Sequence, residues 1–463
     1  HPKGKDLFNS DYVLVDGKVH DVVHKTLLPN YDVFDEYRYF ESNNEFKIVT
    51  IKDVKIALTI CEDLWNVNDN PLYQINPMDE LFKHQPEVMI NIAASPFSKY
   101  KPEERVKVMQ TNVNKYKLPL FYVNLVGAQT QLIFDGGSMV LNQENNVVDT
   151  FTLFEEQCRN YKLDINNNTT VITPLQASTQ NNNNHIANVH DALVLGIREY
   201  FFKQGFKKAT LGLSGGIDSA VVLALAAKAL GPENVRAVLL PSQYSSTHSI
   251  DDALALAKNL GTPYDIINIE NTYQTIIDTL NPYFNNLPFD IAEENLQSRS
   301  RGVILMALCN KFGYILLNTS NKSELAVGYG TLYGDMCGGI SVIGDLYKTE
   351  VYELANFINL TEEIIPINSI TKAPSAELRH EQKDSDTLPE YEILDAILGL
   401  YIELTKSPKE IIALGFEQDL VKRVLRMINT NEWKRAQAPP VLRVSGKAFG
   451  PGRRMPIVAK YLN

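Results

Sequence analysis

One seven-residue stretch constrains this chain more than any other. Leu213-Ser214-Gly215-Gly216-Ile217-Asp218-Ser219 joins an apolar run over 209–213 to an Ala-rich run over 219–230. The first run has the length of a strand and the second that of a helix, so the junction is a tight strand-to-helix turn. Glycines let a backbone approach an anion closely, and a helix N-terminus presents unpaired N–H groups and a positive partial charge. The Ser214 and Ser219 hydroxyls add donors. No lysine follows the glycines, so the loop is not a Walker A loop. Asp218 is out of place beside a phosphate unless a metal ion stands between them. Ser-Gly-Gly alone reads equally as a capped turn; its setting favours an anion cradle.

The alternation continues downstream. Strands are predicted over 235–240, 266–269 and 314–318, with helices over 251–260, capped by Ser249 or Asp251, and over 296–312. This rhythm predicts a parallel doubly wound sheet with ligands at the carboxyl ends of its strands. Upstream the texture differs. Runs over 12–15 and 18–23 flank Asp16-Gly17 as a hairpin, buried strands are read at 54–60, 88–92 and 120–126, and a helix at 102–116. The polar run from Thr179 to His185 separates the two textures. The expected division is therefore 1–176, a linker over 177–186, and 187–463.

Composition excludes several classes. Of 463 residues, 44% are hydrophobic and 21% charged, an ordinary globular balance. No apolar run approaches the ~18 residues of a membrane span. A net charge of −11 argues against a broad nucleic-acid surface. Four cysteines (Cys61, Cys158, Cys309, Cys337) with no Cys-x-x-Cys pair suggest a reduced, cytoplasmic setting. The chain starts at His1 without a signal or transit pattern, and reads as a fragment, a processed form or an incomplete chain.

The Ser214 to Ser219 loop resembles that of the N-type ATP pyrophosphatases, which cleave ATP to AMP and pyrophosphate while activating a carboxylate or carbonyl. Four further segments narrow the resemblance: Leu240 to Ser246, Asn318 to Glu324, Gly328 to Asp335, and Asp345 to Thr349. Together they are similar to the NAD⁺ synthetase family, and the likeness extends over nearly all of 186–463. It implies ATP contacts at Ser214, Gly215, Gly216, Ile217, Asp218, Ser219, Thr319 and Lys348. It implies Mg²⁺ carboxylates at Asp218 and Glu324, since Mg²⁺ prefers hard oxygens shared with phosphates. Deamido-NAD⁺ contacts are implied at Asn295, Glu324, Tyr329, Gly330, Thr331, Leu332, Tyr333, Gly334, Asp335 and Lys434. Taken singly, Lys322 with Glu324 reads as a solvated helix pair and Lys348 as a surface cation; taken with the other segments they do not. Asp384 and Asp386 match a family loop near the reacting centre. From Lys434 onward the chain carries Lys434, Arg435, Arg443, Lys447, Arg453, Arg454 and Lys460 and no acid, either a cap for phosphates or a basic face for an acidic molecule.

In the first half, the apolar run 54–60 delivers Cys61 into Glu62-Asp63. A free thiol is mostly protonated at neutral pH, so a nucleophilic Cys needs a cation and a base. Spacing alone leaves a structural Cys and a surface Lys as the plainer reading. Lys25-Thr26-Leu27-Leu28-Pro29 and Ile60-Cys61-Glu62-Asp63, however, resemble the nitrilase superfamily, whose Glu-Lys-Cys triad sits on an α-β-β-α sandwich. That resemblance covers about 5–160 and matches the glutaminase half fused to NAD⁺ synthetases. It implies Cys61 as nucleophile, Lys25 as oxyanion stabiliser, and Tyr31, Ser95 and Lys101 as glutamine contacts. The family's base Glu precedes the Lys; Glu36, Glu41 and Glu62 follow it. An incomplete glutaminase half is therefore expected.

The combined resemblance implies a ligase that adenylates deamido-NAD⁺ with ATP and amidates it with ammonia from glutamine, giving NAD⁺, AMP and pyrophosphate. It also implies a homo-oligomer formed through the synthetase domain, with no nucleic-acid or membrane partner. The alternatives are a synthetase driven only by free ammonia, another adenylating amidotransferase, and a nucleotide-binding module without catalysis.

Overall fold

The computed structural model describes residues 7–67, 71–166, 169–176, 184–380 and 382–458. The chain folds into two compact units: 1–127 with 132–188, and 128–131 with 189–463. Residues 177–183 of the expected linker lie outside the described residues, and His185 already opens the helix His185–Gln204.

In the first unit, strands Ser10–Val15 and Lys18–His24 form the expected hairpin. Asp16 and Gly17 both take positive φ, 49° and 72°, the turn that matches the twist of paired strands. A six-stranded sheet runs Val147–Thr150, Met139–Leu141, Leu120–Asn124, Val88–Ala93, Val54–Ile60, Val49–Ile51. Its three middle strands are parallel. One face packs on the helices Pro77–Phe82 and Lys101–Tyr116 through Met78, Leu81, Met109 and Val113. The other meets the hairpin through Val13 and Val23 against Val49 and Leu58. The parallel strands Val54–Ile60 and Val88–Ala93 run directly into Cys61 and toward Ser95.

The second unit is a five-stranded, wholly parallel sheet, ordered Tyr264–Ile266, Val235–Leu239, Lys208–Gly212, Tyr314–Asn318, Ile340–Ser341. The first strand in sequence is central. Its two neighbours leave it in opposite directions, which opens a crevice outside their carboxyl ends. Three expected elements shift. The helix expected from 296 begins at Ile291, with Asp290 as its cap in a capping box with Glu293. The third strand ends at Ile266, because pairing stops there, and Ile269 is instead buried in a small core with Val238 and Leu316. The helix expected from 251 begins at Thr247, with Ser246 rather than Ser249 or Asp251 as its cap, accepting from the Ser249 N–H. Its first turn is polar, so the apolar period starts late. The Ile217–Leu230 helix is apolar all round and nearly all buried, packed between the sheet and the Lys348–Ile358 helix. A second core joins Lys322–Val327, Tyr391–Ile402 and Gln418–Thr430.

Candidate functional site

The central strand ends at Gly212, and the Ile217–Leu230 helix starts with Gly216 as its cap. Gly215 between them has φ 78°, and a Cβ there would meet the Ser249 carbonyl oxygen at 2.1 Å. Only glycine fits both demands. The loop is held by its own hydroxyls. Ser214 and Ser219 Oγ lie 3.1 Å apart, the Gly216 N–H donates to Ser214 Oγ at 3.2 Å, and Ser219 Oγ donates to Gly216 O at 3.0 Å. Ser369 Oγ donates to Gly215 O at 3.0 Å.

Three ionisable groups meet beside the loop. Lys348 Nζ lies 2.5 Å from Asp218 Oδ2 and 3.8 Å from Glu324 Oε1. Asn321 Nδ2 donates to Asp218 Oδ1 at 3.0 Å and forms a capping box with Glu324. Burial first, and then the Asp218 charge, push the Glu324 carboxyl well above its ordinary range, with Lys348 opposing. Burial works against the Lys348 charge, but Asp218 and Glu324 outweigh it and its pKa rises. Lys348 is therefore no surface cation. Lys322 is no solvated partner of Glu324 either: it is wholly buried, 3.0 Å from Asp345 and 2.9 Å from Glu403. Among the described residues, no three His, Cys, Asp or Glu side chains are grouped to hold a metal. Two hard carboxylate oxygens still fit a divalent cation completed by phosphate and water.

These groups line a cavity of about 450 Å³. Its wall includes Ser214, Gly216, Ile217, Asp218, Ser219, Thr319, Glu324 and Lys348, and also Asn295, Tyr329, Gly330, Thr331, Gly334, Asp335 and Lys434. Three expected contacts do not line it. Gly215 faces Ser249, the Leu332 carbonyl accepts from Arg299, and Tyr333 is 68% exposed with its hydroxyl on Gln437. Thr331 Oγ1 donates to Asn295 Oδ1 at 2.7 Å, and Asp335 Oδ1 accepts from Ser298 Oγ and the Thr331 N–H. Lys434 Nζ donates to Gly328 O and Gly330 O at 2.9 and 3.0 Å, and burial lowers its pKa. Asp384 accepts from the Tyr329 and Tyr391 hydroxyls, whereas Asp386 pairs with Arg379 at 3.3 Å. Of the basic tail, Arg435 and Arg453 both reach Glu432, and Lys460 lies outside the described residues.

Several wall residues escaped the sequence reading. Burial pushes Arg301 down to about 10, and its Nε donates to Leu240 O. Lys372 Nζ donates to Ser249 Oγ at 2.8 Å, and Glu377, at φ 49°, accepts from the same hydroxyl at 2.6 Å. Each is a lone charge without local spacing to mark it.

In the first unit, Cys61 takes φ 45° where its strand turns into the single turn Cys61–Leu64. A residue with a β-carbon is strained in that region and is held there by its surroundings. Burial pushes its thiol up; the Lys25 charge and the Ala94 N–H draw it back. Lys25 is 1% exposed and pairs with Glu36 Oε1 at 2.7 Å. Glu36 thus faces the lysine despite following it in sequence. Tyr31 and Tyr73 hydroxyls donate to Glu62 Oε1 at 2.9 and 3.2 Å, and Tyr31 is 42% exposed. Burial raises Glu62, with Tyr31, Lys25 and Lys101 among the opposing influences. Lys101 lies over the Trp65 ring at 3.9 Å and 3.1 Å from Glu104. Ser95 is buried, its N–H on Asn124 Oδ1 at 2.8 Å. Cys158, Cys309 and Cys337 are free thiols, and Cys337 lies on the second unit's cavity wall.

Residues 189–438 match the family model described as NAD synthase. A glutamine-dependent NAD(+) synthetase of Synechocystis sp. is 46% identical over 460 residues, covering 99% of this chain and 82% of the relative. That of Thermotoga maritima is 42% identical over 488 residues, covering 99% and 84%. Among solved structures, a glutamine-dependent NAD+ synthetase from Acinetobacter baumannii in complex with ADP superposes with a TM-score of 0.73 at 38% identity, over 97% of this chain and 81% of that one.

Proposed function

This chain belongs to the glutamine-dependent NAD(+) synthetases, and from that premise we propose how its own residues divide the work. The enzyme is a ligase that makes NAD⁺ from deamido-NAD⁺ with ATP and the amide nitrogen of glutamine. Residues 1–176 are assigned the glutaminase step and 187–463 the ligase step, joined by 177–186.

The observation that carries the ligase assignment is the Ser214 to Ser219 loop, which shares one cavity with Asp218, Glu324 and Lys348. The loop N–H groups, the Ser214 and Ser219 hydroxyls and Lys348 are the donors for the ATP phosphates, with Thr319 beside them. Asp218 and Glu324 are the carboxylates for Mg²⁺, which when bound neutralises phosphate charge as pyrophosphate leaves. The Tyr329 to Asp335 loop, with Asn295 and Lys434, is assigned to deamido-NAD⁺. Thr331 on Asn295 and Lys434 on two carbonyls support a preformed wall there. The nicotinate carboxylate attacks the α-phosphorus of ATP and displaces pyrophosphate. Ammonia then attacks the acyl-adenylate carbonyl and displaces AMP.

In the glutaminase step, Cys61 attacks the carboxamide carbon while Lys25 steadies the oxyanion, with Tyr31, Ser95 and Lys101 as glutamine contacts. The C–N bond breaks, the nitrogen leaves as ammonia with the thiol's proton, and water hydrolyses the thioester to glutamate and the free thiol. The strained Cys61 corner and the Lys25 charge on its thiol support this. A homo-oligomer through the synthetase unit is supported by Val303, Met306 and Phe312 on the Ile291–Phe312 helix, which are 65%, 40% and 58% exposed. Four free cysteines support a cytoplasmic location.

A donor exchange tests the division of labour. Cys61→Ala should abolish glutamine-driven NAD⁺ synthesis and leave the ammonium-driven rate within about twofold of the parent. Equal loss with both donors would contradict it.

A further inference from the structure

We propose that Asp63 is a positioning residue: its carboxylate ties the lysine-bearing segment to the cysteine-bearing turn and so keeps Lys25 beside Cys61. The inference rests on reading Cys61 as the glutaminase nucleophile, and it concerns a residue that chemistry on glutamine does not itself require.

Asp63 is 3% exposed. One carboxylate oxygen, Oδ1, accepts the Thr26 N–H at 3.1 Å and the Leu27 N–H at 2.8 Å. The other, Oδ2, accepts the Ile60 N–H at 3.1 Å. Thr26 directly follows Lys25, and Ile60 directly precedes Cys61. One side chain therefore bridges two segments far apart in sequence, each at the residue adjoining the chemistry. Other bonds to the lysine segment go elsewhere. The Lys25 N–H donates to Asn9 O at 2.8 Å, Ser42 Oγ donates to Thr26 O, and the Asn43 N–H donates to Lys25 O. None of these three reaches the cysteine turn.

The bridge demands a carboxylate. Both oxygens receive backbone N–H groups, and an amide has only one acceptor atom. Burying a charge is costly, and burial pushes the Asp63 carboxyl up to about 7; the Leu27, Ile60 and Thr26 N–H groups and the Lys25 charge pull against it. The turn being gripped is the strained one, with Cys61 at φ 45°, so a small loss of grip moves the sulfur. The consequence lands on electrostatics. Lys25 is the cation that counters burial at the Cys61 thiol, and that effect falls with distance.

Asp63→Asn keeps the volume and one acceptor but turns an amide N–H toward the Ile60 N–H or the Thr26 and Leu27 pair. The readout is the pH dependence of Cys61 labelling by iodoacetamide, in the full chain, followed by mass spectrometry of the Cys61 peptide. The midpoint should move up by about one pH unit, a roughly tenfold slower labelling at a fixed pH below it. Lys25→Ala should produce a similar shift. The double variant should shift no further than Lys25→Ala alone, because both changes remove the same interaction. Glu36 and Glu62, which push the thiol the other way, and Arg105, Tyr31 and Tyr122, which also interact with its charge, are intact in every variant. Asp63→Ser, read the same way, covers the case in which the Asn side chain prevents folding.

A merely structural cap would leave the labelling midpoint in place, or add to the Lys25→Ala shift. Either result overturns the proposal. Glutamate release is scored alongside: a parent chain whose Cys61 is never acylated by glutamine fails the nucleophile reading, while the labelling cycle still decides whether Asp63 acts through Lys25.

Discussion

At the scale of single residues, the synthetase cavity is an arrangement of charge waiting for a counter-charge. Asp218 and Glu324 share one buried ammonium, and Glu324 is pushed up by burial first and by the Asp218 charge second, with Lys348 opposing both. On the proposed function, a divalent cation held by the two carboxylates would release Lys348 to meet a phosphate oxygen. Asp218→Asn should therefore slow pyrophosphate release by about 10²- to 10³-fold even with saturating ammonium, measured by a coupled pyrophosphate assay. A rate within threefold of the parent would remove Asp218 from the phosphate machinery. The same scale explains what sequence could not show. Asp218 and the two serines announce themselves because a single loop carries them. Lys348 reads as a surface cation because its partners lie 130 and 24 positions away, and Lys322 as solvated because Asp345, Glu403 and Ser445 come from three other segments. Glu36 is hidden differently: the chain folds back through Pro29 and Phe34 before its carboxylate meets Lys25, a geometry no spacing rule reports.

At the scale of elements, the loop works only if its backbone can take the path it does. Gly215→Ala asks for a left-handed conformation, about 1–2 kcal/mol for a residue with a β-carbon. It also drives that carbon to 2.1 Å from the Ser249 carbonyl. The loop must move, and MgATP binding by calorimetry should weaken at least about tenfold. Unchanged affinity would mean that the loop is not where the triphosphate sits. The Lys322–Val327 helix is gripped at its far end as well. Arg435 Nη1 donates to Leu325 O and Ala326 O, Asn431 Nδ2 to Val327 O, and Lys434 to Gly328 O and Gly330 O. Cations at a helix C-terminus satisfy its free carbonyls and its dipole, so these basic residues of the tail act on backbone. Elements are the most legible part of the fold: the hairpin, the strand-loop-helix and the parallel strands all carry local patterns. The boundaries that moved did so because tertiary pairing ended a strand at Ile266 and because polar residues in the first turn concealed the starts of the helices at Thr247 and Ile291.

At the scale of the whole molecule, the chain forms two compact units, and the site proposed in each lies at the carboxyl ends of parallel strands. If the chain assembles as proposed, the exposed apolar residues on the Ile291–Phe312 helix, which also lends Asn295, Ser298 and Arg301 to the cavity wall, form the contact with the second copy. Val303→Asp should shift the mass seen by light scattering from the assembly to a single chain, and an unchanged mass would move the interface elsewhere. The proposed ligase chemistry turns on one claim, that the carboxylate is activated as its adenylate. Deamido-NAD⁺ labelled with ¹⁸O in its nicotinate carboxylate, supplied with ATP and ammonium, tests that claim without calling on the glutaminase unit. Attack on the α-phosphorus must carry one labelled oxygen into AMP, read as an isotope shift of its ³¹P resonance. Labelled AMP and unlabelled pyrophosphate are the predicted result; label in pyrophosphate or orthophosphate, with none in AMP, would contradict it.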